Sequence, residues 1–142
     1  MAELTVRIGT AADAPAVSNL LYEFNGEALP PPALVERMQE VQGLETAFIV
    51  ELDGVAVGLL VLRTVPTLSD SQDWAEITEM YVRPAFRRRG VGRVLIEAAI
   101  EHARRHGCTE VHLLVDPANR TAIAFYEAVR FCRDSWEMRR EL

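Results

Sequence analysis

Cysteine is scarce in this chain: Cys108 and Cys132 are the only two in 142 residues. Two are too few for a disulfide framework, so the expected compartment is reducing cytoplasm. Long hydrophobic runs are missing too. The longest, such as Val55 to Leu62, are strand-length and far short of the ~20 apolar residues of a membrane-spanning helix. The N-terminal Met1-Ala2-Glu3-Leu4 is acidic and lacks a basic segment followed by an apolar one, so no signal peptide is read there. Positive charge is also in deficit. The net charge of −6 speaks against a general nucleic-acid binder, because neutralising phosphates requires excess basic residues. No repeat, linker or low-complexity segment is visible. The composition, 49% hydrophobic and 25% charged, is globular, and the length suits one α/β domain over residues 1–142 with a single core.

Periodicity lays out the elements. Leu4 to Ile8 alternates as a first strand. Thr10 and Asp13 offer capping oxygens for a helix with Val17, Leu20, Leu21 and Phe24 on one face, ending near Asn25-Gly26. After Pro30-Pro31-Pro32, residues Leu34, Met38 and Val41 mark a second short helix stopped by Gly43. Residues 46–52 and 55–63 form a hairpin around Asp53-Gly54, a pair suited to two positive φ angles. Residues 64–73 read as a polar loop. Trp74 to Val82 is a fourth strand closed by Pro84, and Gly90 to His106 a helix. Val111 to Val115 reads as a strand buried on both faces, and Asn119 to Val129 as a last amphipathic helix. Phe131 to Leu142 has room for one or two short strands.

The basic residues are not evenly spread. Arg83, Arg87, Arg88, Arg89 and Arg93 fall within eleven residues of an otherwise acidic chain, which points to one local anionic ligand. Their setting is a strand, a proline turn, the arginines, Gly90-Val91-Gly92 and then a helix. A helix start carries unpaired N–H groups and roughly half a positive charge. Glycines let phosphate oxygens approach that backbone, and guanidinium groups add charge-assisted contacts. The run is not a Walker A loop, since no Lys-Ser or Lys-Thr follows Gly92, and it is not G-x-G-x-x-G.

Arg87-Arg88-Arg89-Gly90-Val91-Gly92 resembles the Q/R-x-x-G-x-G/A signature of GNAT acetyltransferases, which follows their fourth strand and binds the CoA pyrophosphate. The preceding Met80-Tyr81-Val82-Arg83-Pro84 resembles the family's strand-four ending, whose backbone holds the pantetheine arm. A second signature, Asn119-x-x-Ala122-x-x-Phe125-Tyr126-Glu127, follows the fifth strand at the family's place. The resemblance implies that Asn119 contacts pantetheine and that Tyr126 protonates the departing thiolate. Taken alone, Asn119 reads equally as a helix cap and Tyr126 as a core aromatic. The implied cofactor-binding set is Met80, Tyr81, Val82, Arg87, Arg88, Arg89, Gly90, Val91, Gly92, Arg93 and Asn119.

The resemblance also implies a fold: a mixed, mostly antiparallel sheet of six to seven strands, about four helices, and parallel, splayed fourth and fifth strands. It implies an acetyl-CoA-dependent N-acetyltransferase acting on a primary amine in a ternary complex. The alternative is a CoA-binding module without turnover. This chain departs from the family in three places. Arg130-Phe131 replaces the usual Gly-Phe after the last helix, Leu113-Leu114-Val115 lacks the carboxylate that protein N-terminal acetyltransferases place in strand five, and the C-terminal end is short. The short end leaves room for a homodimer.

A base is needed because an alkylammonium, with pKa near ~10, must lose a proton before attack. Glu76 and Glu79 on the fourth strand are the candidates, and Glu79 is preferred for its nearness to the strand's end. Strict alternation puts them on opposite faces, Glu76 with Thr78 and Met80, Glu79 with Tyr81; a β-bulge would shift that parity. His102, His106, Cys108 and His112 invite a zinc reading, which is set aside for want of a converging ligand set. Trp74 and Trp136 are expected as core or interface aromatics. The acceptor pocket is expected from residues 20–35 and the 64–73 loop, where Glu23, Glu27, Asp70 and Asp73 favour a cationic amine.

Overall fold

The computed structural model describes residues 3–142, so Met1 and Ala2 of the acidic N-terminus lie outside the described residues. The chain divides into two compact units, Met1–His112 and Leu113–Leu142. The described strands form one five-stranded sheet in the order β1-β2-β3-β4-β5. They are β1 (Leu4–Ile8), β2 (Glu45–Leu52), β3 (Val55–Val65), β4 (Trp74–Val82) and β5 (Val111–Leu113). The first four pair antiparallel with their neighbours, and β5 runs parallel to β4. The helices are α1 (Ala14–Asn25), α2 (Pro31–Glu40), α3 (Val91–Arg105) and α4 (Arg120–Ala128).

In the first unit the sheet is covered on both faces. On one face Val17 and Leu20 of α1 and Leu34 of α2 pack on Ile49 and Leu59. On the other, Leu95 of α3 comes down over Gly58 of β3, where an added Cβ would meet Val50 Cγ1 at 2.8 Å and the Tyr81 carbonyl at 3.1 Å. Only glycine fits there between the β2 side chain and the β4 backbone. Leu20, Ile49, Leu59, Leu60, Leu95 and Ile96 are fully buried, each stabilising the fold by roughly 1.5–3 kcal/mol. The β2–β3 turn has Asp53 at φ 50° and Gly54 at φ 80°, the two positive angles expected of it. Asp53 also accepts the Glu3 amide proton at 2.9 Å. The first helix begins as a short 3₁₀ turn over Ala11–Asp13, where the Asp13 carboxylate accepts the Thr10 N–H at 2.7 Å. Arg7 of β1 bridges Asp13 and Glu51, which holds the Asp13 carboxyl down at about 2.

In the second unit Asp116 turns the chain and Asn119 caps α4. Two expectations fail here. The sheet has five described strands, not six to seven, because residues 131–142 form no strand or helix. A strand is held by its ladder partner, and this unit supplies none for the segment. Trp136, expected in a core or an interface, is 92% exposed and so belongs to no core of this chain. Likewise β5 ends at Leu113 with its residues only half-buried, and Leu114 is exposed, whereas Val111 to Val115 was expected covered on both faces. The strand is the outermost of the described sheet, and the Ala118 amide donates to Asp116 in a turn just beyond it.

Candidate functional site

The arginine–glycine segment takes the form its sequence requires. After β4, Pro84–Phe86 makes one 3₁₀ turn, and Arg88 then adopts φ 62° and Gly90 φ 80°. Gly90 is the N-cap of α3, with no side chain capping the helix and open space where a Cβ would stand. Arg88, Arg89 and Arg93 are exposed, and among the described residues none of them pairs with a carboxylate. An uncapped helix start flanked by unpaired guanidinium groups is complementary to phosphate. Arg89 lies over the Phe86 ring at 5.6 Å. Arg87 braces the strand end: its Nε donates to the Val82 carbonyl at 2.9 Å and its guanidinium sits 5.8 Å from the Tyr81 ring centroid. These residues suit a diphosphate group. Val91 differs from its neighbours in burying its side chain, so it offers only its backbone.

Arg83 does not join that group. Its guanidinium pairs with Glu23 of α1 at 2.9 Å and donates to the Ala56 carbonyl at 3.0 Å, while its amide donates to the Val57 carbonyl at 2.9 Å. The Tyr81 hydroxyl also donates to Glu23, at 3.4 Å, and its ring lies 5.5 Å from Phe24. Burial, then the Glu23 charge, pushes the Tyr81 phenol up. The arrangement fastens the end of α1 to the end of β4.

Strand β4 carries a bulge that alternation could not reveal. Glu76 stands opposite Arg63 and Glu79 opposite Val61, with Thr78 left over between Ile77 and Glu79. The Thr78 hydroxyl donates to the Val61 carbonyl at 3.5 Å. One extra residue reverses the parity, so Glu76, Glu79 and Tyr81 share the α1–α2 face and the expectation of opposite faces is corrected. Their surroundings still differ. Glu76 is committed to Arg63 at 3.0 Å. Glu79 instead lines a cleft of about 670 Å³ with Leu21, Asn25, Glu27, Ala28 and Leu29, and accepts a hydrogen bond from Asn25 Nδ2 at 3.4 Å. The cleft draws on the expected 20–35 region, but the 64–73 loop does not line it, nor do Asp70 and Asp73. Asn25 escaped the sequence reading. Ending a helix before Gly26 is legible locally, but which β4 residue it meets is not. Met80 and Val82 face the other way, opposite Leu60 and Gly58.

In the second unit the Asn119 side chain accepts the Ala122 amide proton at 3.1 Å, the cap that its position allows. Tyr126 stacks edge-on with Phe125 at 5.4 Å and Phe131 at 5.9 Å, and burial pushes its phenol up. The helix exit without glycine is made by Arg130 itself, at φ 77°, with the Phe131 amide bonded to the Tyr126 carbonyl at 2.9 Å. Elsewhere, His102 and His106 stack at 4.1 Å, and His112 pairs with Glu110 and packs on Trp74. No three potential metal ligands converge among the described residues, and no described helix is long and apolar enough to cross a membrane.

Known proteins place these features in a family. An N-acetyltransferase of Methanocaldococcus jannaschii is 37% identical over 86 residues, 59% of this chain and 38% of the relative. The L-2,4-diaminobutyric acid acetyltransferase of Nocardia farcinica is 32% identical over 84 residues, 59% of this chain and 42% of the relative. The matched regions thus span about two-fifths of those curated relatives. An aminoglycoside N-acetyltransferase solved in complex with CoA superposes with a TM-score of 0.87 over 100% of this chain and 96% of its own, at 21% identity, a likeness of fold. The model of the acetyltransferase (GNAT) family matches residues 14–131, and the chain belongs to that family.

Proposed function

We propose that this chain is an acetyl-CoA-dependent N-acetyltransferase that acts on a primary amine of a small molecule or peptide by direct attack in a ternary complex. The observation that carries the reading is the double duty of β4. Its Glu79 stands in the wall of the cleft, and its C-terminal end leads directly into the uncapped, arginine-flanked start of α3. Acetyl-CoA supplies an activated thioester. Arg87, Arg88, Arg89 and Arg93, with the backbone N–H groups from Gly90 to Arg93, hold its phosphates. The backbone of Met80, Tyr81 and Val82 lies along the pantetheine arm, and Asn119 contacts it. Glu79 takes the ammonium proton of the acceptor, directly or through water, and Asn25 orients the carboxylate. The freed nitrogen lone pair forms the C–N bond as the C–S bond breaks, Tyr126 gives its proton to the departing sulfur, and the second proton that the nitrogen then sheds passes through water to restore the phenol. The motif around Tyr126 supports that role, and a phenol raised by burial stays protonated at neutral pH.

Glu79→Gln should lower kcat/KM about tenfold at neutral pH, less than a fully enclosed base would because water reaches an open cleft. The loss should shrink as pH rises and more of the amine is already free. Glu76→Gln, which disturbs a strand ion pair, should do much less. Thiol release across pH, with thermal shift by CoA, reads both variants. CoA binding with no thiol release from any amine would leave a binding module and end the enzymatic reading.

A further inference from the structure

We infer that the cleft selects acceptors carrying a second positive charge, alkane diamines being the simplest, with Glu27 as the residue that reads the distal ammonium. The inference rests on the proposed acetyltransferase reading and names its substrate class. Two carboxylates, Glu27 and Glu79, line the cleft, and no cationic side chain does. Arg83, which directly follows β4, is not available to balance them, because it is spent on Glu23 and the Ala56 carbonyl. Glu79 has the Asn25 amide, whereas Glu27 makes no hydrogen bond or ion pair with any described residue. If Glu79 receives the reacting ammonium, a monoamine leaves the Glu27 charge unanswered, and a diamine answers both. Between them Leu21, Ala28 and Leu29 offer apolar wall to a methylene spacer. That combination suits a flexible dication better than an amino acid, whose carboxylate would face two like charges.

The matched pair pentylamine and pentanediamine differs only in the second ammonium. Wild-type enzyme should show a higher kcat/KM for the diamine, a preference that weakens with added salt because the cleft is open to water. Glu27→Gln should cut the diamine-to-monoamine ratio about fivefold, the upper range for an exposed charge pair. Glu40→Gln removes an equal charge from the Arg37 pair on α2 and should leave the ratio in place. No wild-type preference, a preference that survives Glu27→Gln, or an equal fall in Glu40→Gln each overturns the inference. Amide and side-chain NMR titration with pentanediamine separates this outcome from failure of the acetyltransferase reading. Shifts at Asn25, Glu27 and Glu79 that Glu27→Gln weakens support the inference even without turnover; absence of such shifts sinks it.

Discussion

Replacing Gly92 by glutamate should weaken acetyl-CoA binding about a hundredfold or more, the loss of one to two hydrogen bonds to a charged group. Gly92 is the second residue of α3, immediately after the uncapped Gly90–Val91 start. A side chain there stands where phosphate oxygens must approach the backbone, and a carboxylate adds like-charge repulsion. The same glutamate should not harm the fold. A negative charge in the first turn favours the helix by roughly 0.3–1 kcal/mol, and glutamate is a better helix former than glycine. Binding and stability are therefore expected to move in opposite directions, which a misfolding artefact would not produce. Calorimetry with acetyl-CoA and a thermal melt of the same sample measure both. Unchanged affinity would remove the anion site from α3.

Tyr126→Phe should retain acetyl-CoA affinity and lose about 10²–10⁴-fold in kcat, the usual contribution of a positioned general acid. Phenylalanine keeps the ring and with it the edge contacts to Phe125 and Phe131, so the packing of this unit survives. The pH profile gives the sharper check. Burial raises the phenol above its ordinary value of about 10, so the wild-type rate should not fall through loss of this proton until the medium is strongly alkaline. The variant should lack that descending limb altogether. A variant with wild-type kcat at neutral pH would assign the proton to water.

How much of this was legible beforehand depends on the range of the interaction that decides each feature. The β2–β3 hairpin, the limits of β4 and the helix start at Gly90 were readable because Asp53-Gly54, Pro84 and Gly90 act through their own backbone angles. The cap at Asn119 is equally local. A bulge in β4 stood as an alternative to strict alternation, but its presence at Thr78 was not readable. Nothing in Glu76-Ile77-Thr78-Glu79 announces it, since it comes from the register against Val61 and Leu62 of β3. That single shift places both candidate bases on one face, and only their partners, Arg63 for Glu76 and the cleft for Glu79, tell them apart. The strands expected beyond Phe131 failed for a related reason. Alternation describes a strand's sides, but a strand exists only with a partner edge.

By itself, the order of residues determined the elements from β1 to β4 and the four helices, the phosphate-complementary segment and the family signatures, because caps, turns and glycine-lined helix starts depend on neighbours a few positions away. Tertiary structure alone decided which charges are spent and which are exposed to a ligand. Arg83 counts as one more arginine in the sequence, yet it is consumed by Glu23, a residue on another element, while Arg88, Arg89 and Arg93 are not paired with any described carboxylate. Glu27 and Glu79 are distant in sequence and meet in one cleft because the end of α1 is fastened to β4. Electrostatic partnership falls off steeply with distance in space and takes no account of distance along the chain, so it had to wait for the fold.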